Sequence, residues 1–193
     1  MRALLLAALL LPAQDPQAPA EFKVKLETSR GDLLIKVVRD WAPKGADRFH
    51  ALVKAGYYDE CRFYRVLPKS IAQFGIHGTP ATASKWKEQP IDDDPVKQKN
   101  LRGRLTFAKG GPNSRTTNLF LNLRDHADFD SQGFAPIGEV VDGMEVADQL
   151  FVTGEGAPRG RGPSQKRIYE EGNKWLEKDF KDLDYVKKAT VIE

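Results

Sequence analysis

Two polar side chains, Arg65 and Gln73, stand within apolar stretches that have the composition of β-strands. The first stretch, Cys61 to Leu67, is rich in aromatic and β-branched residues and ends at Pro68, which cannot donate to a continuing ladder. The second runs from Ile71 to Gly75. Arginine and glutamine are rarely buried without partners, so these positions predict a groove where hydrogen-bond donors face a ligand. By itself, Arg65 is equally consistent with a surface arginine whose aliphatic stem covers a neighbour.

Alternation of side chains predicts which residues share a strand face. A later strand, expected over 119–123, has a purely apolar face that we assign to the core and a mixed face that suits a ligand groove. The apolar face carries Leu119, Leu121 and Leu123, and the mixed face carries Asn118, Phe120 and Asn122. On the earlier strands, alternation groups Cys61, Phe63, Arg65 and Leu67 on one face, and Ile71 with Gln73 on another.

Three stretches, in this order and at these separations, resemble the cyclophilin-type peptidyl-prolyl isomerases. The first is Phe63-x-Arg65-x-x-Pro68 followed by Gln73-x-Gly75. The second is Ala108-x-x-Gly111-Pro112-Asn113, continuing through 117–122, and the third covers 129–140. Any one of these patterns alone would be weak, whereas their combination is specific. The resemblance covers roughly Phe22 to Val152 and the last strand.

The resemblance implies a role for each residue of the groove. Arg65 would donate a hydrogen bond to the proline nitrogen as that nitrogen becomes pyramidal, and Gln73 would hold the guanidinium and touch the substrate backbone. Ala108 and the backbone at Lys109 would bind the residues that precede the proline, with Asn118 also contacting the substrate. The proline ring would occupy a pocket formed by Ile71, Phe120, Phe129 and Phe134.

This chain departs from the family pattern at several of these positions. Ser70 stands where an aromatic residue is usual, Lys109 where asparagine is usual, and Asn118 where glutamine is usual. Phe134 stands at a position often held by histidine. Asp128 replaces a tryptophan or other aromatic residue that supports binding of cyclosporin in many relatives. Because Arg65, Gln73 and Phe120 are present, we expect catalysis to persist with altered preferences.

The pattern of elements predicts a mainly β protein. Strict alternation over 22–28 and 33–38, separated by turn residues, indicates a β-hairpin. A helix is expected from Pro43 to Gly56, and a second from Met144, where Asp142 to Glu145 is similar to a capping box. With the resemblance, this implies a closed eight-stranded antiparallel β-barrel of cyclophilin type, capped by two helices, since closure removes exposed strand edges.

Two long stretches lack strand periodicity. The stretch between Gly75 and Arg104 contains three prolines and the Asp92–Asp94 triplet; a rim that screens peptides and a solvated excursion are both compatible with it. The second stretch, residues 154–163, is rich in glycine and proline. It leads into an extra C-terminal helical segment over 164–180 and a terminal strand over 185–192. We call residues 154–184 the C-terminal segment.

Length and composition indicate one exported domain. The chain has 193 residues, of which 40% are hydrophobic and 30% charged, as in an ordinary globular domain. Arg2 and the apolar run 3–11 are typical of a signal peptide, and the run is too short to span a bilayer. We therefore expect a signal peptide over 1–20, with cleavage after either Ala13 or Ala20, a single cyclophilin-like domain over 21–193, and a monomer in the periplasm or outside the cell. Neither a lipid anchor nor stable membrane insertion of the mature chain is expected.

Other functional classes lack their characteristic residues. Histidines 50, 77 and 126 are scattered and Cys61 is the sole cysteine, so neither a metal site nor an internal disulfide is expected, and Cys61 should be an unpaired thiol shielded by packing. The net charge of +3 comes without a basic run, which argues against nucleic acid as a partner. The sequence also lacks nucleophile and dinucleotide motifs, and prolyl isomerisation requires no cofactor. Expected partners are proline-containing peptides and unfolded protein segments. The alternatives are a non-catalytic peptide-binding or chaperone module and an extracytoplasmic structural protein.

Overall fold

The computed structural model describes residues 15–192. Most of the predicted signal peptide, residues 1–14, lies outside the described residues. The six residues that follow pack on the domain: Ala18 is buried in the core, and its N–H donates to the Asp47 carboxylate at 2.8 Å. Asp15 accepts a hydrogen bond of 2.6 Å from Nε of the buried Arg48.

Eight antiparallel strands form one curled sheet, as expected from the sequence. The predicted hairpin is its most regular part, and β3 and β8 are its two edges. The spatial order is β3-β4-β6-β5-β7-β2-β1-β8. The strands are β1 Glu21–Thr28, β2 Asp32–Val38, β3 Arg65–Leu67, β4 Ile71–Phe74, β5 Arg104–Phe107, β6 Leu119–Asn122, β7 Pro136–Asp142 and β8 Val186–Ile192.

The expected continuous closure into a barrel is not confirmed, because the ladder remains open between β3 and β8. The chain that leads into β3 contacts the start of β8: Arg62 and Tyr185 form an isolated bridge, and the Val186 N–H donates to the Cys61 carbonyl at 2.9 Å. The free edge of β3 is occupied instead by the chain that follows α4: the Val66 N–H donates to Thr153 Oγ1 at 2.7 Å, and its carbonyl accepts from the Gly154 N–H at 3.1 Å. The sheet is therefore an open, curled half-barrel.

Within residues 15–192, five helices and a 3-10 turn, Arg39–Trp41, accompany the sheet. The predicted helices near Pro43, Met144 and Ser164 are present. The capping box expected at Asp142 is not formed, because Gly143 precedes the helix in a left-handed conformation and no side-chain cap is made. The helices are α1 Pro43–Lys54, α2 Pro80–Lys87, α3 Ala127–Ser131, α4 Met144–Asp148 and α5 Gln165–Asp179.

The stretch between Gly75 and Arg104, expected to be irregular, contains α2. Only Ala83 of this helix is buried, so the sequence carries almost none of the apolar periodicity that reveals a helix. Pro80 stands in its first turn, where the fixed φ of proline suits a helix start. A weakly amphipathic helix of this kind depends on neighbouring elements for its stability.

A second, smaller core joins α2 and α5 to the sheet. It is separate from the main core inside the curled sheet and brings Tyr64, next to Arg65, into contact with the C-terminal segment. The carboxylate of Asp184 accepts the Phe151 N–H at 2.7 Å, so the residues just before the C-terminal segment lie beside its end. The buried residues of the second core are Tyr64, Ile76, Ala83, Ile168, Trp175, Leu176 and Leu183.

The two faces of the strands are largely as predicted. Leu119, Leu121 and Leu123 all lie in the main core. The assignment of Cys61 and Phe63 to the face of Arg65 is wrong: both are in the main core, where the Phe63 ring centroid lies 5.0 Å from that of Phe74. Regular β3 begins only at Arg65, so alternation does not extend back to Phe63.

Cys61 is a free thiol and is fully buried, as expected. Burial raises the pKa of this thiol far above its ordinary range, so the thiol stays protonated and unreactive at neutral pH.

Over the described residues 15–192, no helix has the length and apolar character needed to cross a bilayer.

Candidate active site

Four side chains form a row across neighbouring strands, on the face opposite the main core. Arg65 on β3 pairs with Gln73 on β4, Gln73 pairs with Phe120 on β6, and Phe120 pairs with Thr106 on β5. Directly opposed residues of antiparallel strands have their side chains in contact distance on the same face. The structure therefore brings together Arg65, Gln73 and Phe120, which the sequence placed on separate strands.

The guanidinium of Arg65 is held from two sides. Its Nη1 donates to Gln73 Oε1 at 3.1 Å. Its Nε and Nη2 donate to the two carboxylate oxygens of Glu155, at 2.8 and 2.6 Å. The Arg65 side chain keeps 24% of its surface exposed, so a bound molecule can reach it. Arg65 is therefore a fixed and accessible donor rather than a loose surface arginine.

Gln73 begins a chain of hydrogen bonds that runs to α5. Its Nε2 donates to the Tyr64 hydroxyl at 2.8 Å, and that hydroxyl donates to Asn118 Oδ1 at 3.0 Å. Asn118 Nδ2 in turn donates to the Tyr169 hydroxyl at 3.0 Å. Burial raises the pKa of the Tyr64 phenol well above its ordinary value, so Tyr64 remains a donor at neutral pH. Asn118 thus orders the site rather than standing free in it.

An aromatic pocket wall flanks the row. The ring centroids of Phe120, Phe129 and Phe134 lie 5.3 to 5.6 Å from one another. His126 stacks on Phe129 at 4.2 Å, and its Nε2 lies 3.1 Å from the Ser70 carbonyl oxygen. Phe120 is almost fully buried, whereas Phe129 and Phe134 are half-exposed. Such a set of tilted rings suits a flat apolar group such as a proline ring.

Ile71 lies on β4 two residues from Gln73 and on the same face. It is 5% exposed and is not part of the main core. Its cross-strand partner on β6 is Asn122, next but one to Phe120. Ile71 therefore lies on the groove face near Phe120, and its contact with a proline ring stays a prediction.

Ala108 and Lys109 follow β5 at the other side of the row. The Ala108 N–H donates to the Asn118 carbonyl at 2.9 Å, which fixes this backbone beside β6. Lys109 Nζ donates to Asp93 Oδ2 at 2.9 Å, and it lies 5.6 Å from the ring centroid of Phe134. Burial alone would raise the pKa of Asp93, but the hydrogen bonds from Lys109 and Asn113 outweigh it and lower that pKa. Asp93 belongs to the long stretch between β4 and β5, so part of that stretch borders the site.

Sequence reasoning missed four residues of this arrangement: Tyr64, His126, Glu155 and Tyr169. Tyr64 stands beside Arg65, but alternation places it on the opposite strand face and hides its contact with Gln73. His126 is one of three scattered histidines in the sequence, yet it is 3% exposed and stacks behind the pocket wall. Glu155 and Tyr169 lie far from Arg65 in the chain, and no local signal connects them to the strand.

Within residues 15–192 no group of three or more His, Cys, Asp or Glu side chains is placed to hold a metal ion.

Comparison with known proteins gives the same family as the motifs. The family model described as cyclophilin type peptidyl-prolyl cis-trans isomerase/CLD matches residues 23–169. A peptidyl-prolyl cis-trans isomerase of Acinetobacter baylyi is 31% identical over 157 residues, which cover 77% of this chain and 80% of that protein. Peptidyl-prolyl cis-trans isomerase B of Escherichia coli is 30% identical over 157 residues, 77% of this chain and 93% of that protein.

The fold is shared with solved structures. A cyclophilin type peptidyl-prolyl cis-trans isomerase of Cryptosporidium parvum matches with a TM-score of 0.66 at 21% identity, covering 90% of this chain and 98% of that chain. The structure of that protein in the presence of the dipeptide Ala-Pro matches with a TM-score of 0.64. The half-barrel and the site thus define a cyclophilin-like protein. With the family model and the relatives, the chain belongs to the cyclophilin-type peptidyl-prolyl cis-trans isomerases.

Proposed function

We propose that this protein catalyses the cis-trans isomerisation of Xaa-Pro bonds, with Arg65 as the donor to the proline nitrogen. The observation that carries this proposal is the row of Arg65, Gln73 and Phe120 beside the Phe129 and Phe134 rings. A cationic donor and an apolar ring pocket lie next to one another, which suits a proline whose nitrogen is the reacting atom.

The energetics fit a site without covalent chemistry. Amide resonance gives a barrier of about 18–20 kcal/mol. The uncatalysed change takes roughly tens to hundreds of seconds. Reaching a turnover of about 10 per second requires on the order of a thousandfold acceleration, or about 4 kcal/mol. A charge-assisted hydrogen bond of about 1.5–3 kcal/mol in a desolvated groove supplies much of it, and orientation supplies the remainder.

The direct test is NMR exchange spectroscopy on a short Xaa-Pro peptide, with the protein added at substoichiometric concentration. Catalysis is expected to bring cis-trans exchange into the range of seconds or faster. Chemical-shift changes on binding without faster exchange would instead identify the non-catalytic peptide-binding module. The same titration, repeated with a peptide in which alanine replaces proline, measures how far binding depends on the proline ring.

Cyclosporin is expected to bind weakly because of Asp128. This residue lies in the first turn of α3 next to Phe129 and keeps 61% of its side chain exposed. An apolar ligand that covers the carboxylate would have to remove its water, and that desolvation costs free energy. Asp128→Trp should tighten binding by about tenfold or more, since it replaces the charge with a large apolar surface.

Isothermal titration of cyclosporin into the parent and Asp128→Trp measures this difference. Asp142→Trp is the matched control, because Asp142 is an exposed aspartate at the end of β7. Tight binding by the parent, or equal affinities for the two Asp128 forms, would contradict the expectation.

We propose further that the chain is exported and acts as a monomer, free of a lipid anchor, on unfolded segments of exported proteins. The support is Arg2 with the apolar run 3–11, together with slow Xaa-Pro isomerisation as a limit on refolding after export. The contacts of Asp15 and Ala18 favour cleavage near Ala13 over cleavage after Ala20, since the latter would remove a carboxylate from the buried Arg48.

N-terminal sequencing of the protein from its host tests the export proposal. A mature chain that starts near residue 14 would support it. Recovery of the protein from the cytoplasm with Met1 in place would refute it, and a start at Glu21 would refute the preference for Ala13.

A further inference from the structure

Glu155 belongs to the C-terminal segment and reaches Arg65 at the free edge of β3, which is not paired with β8. The two form a bidentate pair, with nitrogen-oxygen distances of 2.8 and 2.6 Å. Paired donation of this kind fixes both the position and the plane of a guanidinium, which a single hydrogen bond does not. Glu155 therefore controls how Arg65 is presented to the groove.

The loop that carries Glu155 is itself anchored. The Gly154 N–H donates to the Val66 carbonyl at 3.1 Å, which fastens the loop to β3 one residue from Arg65. On the other side, the Gly162 N–H donates to the Glu155 carbonyl at 2.9 Å. A Cβ at Gly160 would overlap that same carbonyl oxygen, so the glycine is needed for the chain to close around Glu155. The glycines of 154–163 thus allow the loop to adopt the conformation that holds the Glu155 carboxylate in place.

A count of the N–H groups of Arg65 shows how many remain for a substrate once Glu155 and Gln73 are bound. A guanidinium has five N–H groups. Glu155 takes the Nε N–H and one N–H of Nη2, and Gln73 takes one N–H of Nη1. One N–H on each terminal nitrogen remains for a substrate. Without Glu155, Gln73 would be the only one of these two partners left to orient Arg65.

We infer that Glu155 is a positioning residue for isomerisation, which holds the Arg65 guanidinium so that its two remaining N–H groups are presented to the proline nitrogen and the adjacent carbonyl. This inference rests on the proposed function with Arg65 as donor. The carboxylate also offsets part of the positive charge of Arg65. Its ordering effect dominates, because orientation of a reacting group contributes more than a partly screened charge at a site that is 24% exposed.

The charge state of Glu155 is suited to this role. The hydrogen bond from Arg65 lowers the pKa of the Glu155 carboxyl, and the charges of Arg65 and Arg159 add to the effect. A lowered pKa means that the carboxylate is ionised at neutral pH and is protonated only as the pH falls below the ordinary value of about 4.3. The pair should therefore be intact wherever the enzyme is assayed near neutral pH.

Glu155→Gln tests the inference, because it removes the charge and one acceptor while keeping the shape. We expect kcat to fall by about tenfold with KM changed by less than about twofold, since a misoriented donor affects the transition state more than binding. Asp148→Asn is the matched control: Asp148 forms a bidentate pair with the exposed Arg102, at 3.0 and 2.7 Å, away from the groove. That control should leave both constants unchanged.

A spectroscopic readout separates positioning from general damage. In the parent protein the Arg65 Nε–H should give a resolved NMR signal that exchanges slowly with water, and Glu155→Gln should abolish that protection without altering the melting temperature. In an Arg65→Lys background, Glu155→Gln should cause no further loss of activity.

The possible outcomes are distinct. An active parent with an equally active or faster Glu155→Gln variant overturns the positioning role and leaves the proposed function intact. A loss that persists in the Arg65→Lys background also overturns it, because the effect would not act through Arg65. A parent that fails to accelerate exchange at all refutes the proposed function itself, and the positioning role with it.

Discussion

Arg65→Ala is expected to lower kcat/KM by roughly a hundredfold to a thousandfold, because it removes the cationic donor while leaving the strand in place. Arg65 lies on the face opposite the main core and keeps part of its surface exposed, so no large core cavity follows its loss. Glu155 would lose its partner but remain on a solvent-accessible loop. NMR exchange on an Xaa-Pro peptide, with thermal unfolding as a check of the fold, measures the effect.

Two further variants sharpen the interpretation. Arg65→Lys should also be poor, because a compact ammonium cannot match the planar fork that Glu155 and Gln73 engage at once. Arg102→Ala removes a more exposed arginine that forms a bidentate pair outside the groove and should be fully active. If Arg65→Ala isomerises as fast as the parent, the assignment of the donor is wrong.

Gly172→Ala is expected to lower the free energy of unfolding by about 3 kcal/mol, through strain and the loss of contact between α2 and α5. Gly172 has a φ of 63° and ψ of −153°, a conformation that only glycine adopts readily. A Cβ there would overlap the Gly78 carbonyl oxygen and lie 2.8 Å from Pro80 Cδ. The chain next to α2 would have to move away, which opens the second core.

Urea unfolding at pH 7 measures the difference. Gly110→Ala is the matched control, since Gly110 has no heavy atom within 4 Å of an added Cβ and needs no positive φ. It should be nearly neutral. Equal stability of Gly172→Ala and the parent would show that the positive φ at Gly172 is not required for α5 to pack against α2.

Local patterns were sufficient where an element has one face in the core. Alternation along β4 and β6 correctly separated the buried leucines from the groove face that carries Gln73 and Phe120. It failed at Phe63, because a strand of three residues is too short to carry its alternation backwards. Helical periodicity also gave no signal for α2, because a single buried alanine does not define an apolar face.

The aromatic pocket was predicted from the family resemblance, whereas the Arg65–Glu155 pair was not predicted. Phe129 and Phe134 were assigned through the family resemblance, and the structure places them beside Phe120. Glu155 was not found, because it lies 90 positions along the chain from the arginine that it binds. A contact of that kind depends on the way the C-terminal segment folds back on β3, and neither composition nor periodicity encodes that path.

The Asp184 carboxylate that receives the Phe151 N–H has a consequence for chain entropy. Because the residues that flank the C-terminal segment already lie together, the segment behaves as a closed loop, and each doubling of the length of such a loop costs only about 0.6 kcal/mol. Residues added within the segment therefore cost little chain entropy, provided that Glu155 and the second core keep their contacts. In engineering terms, a foreign polypeptide with neighbouring termini can be inserted into this segment, whereas replacing the segment would remove most of the second core.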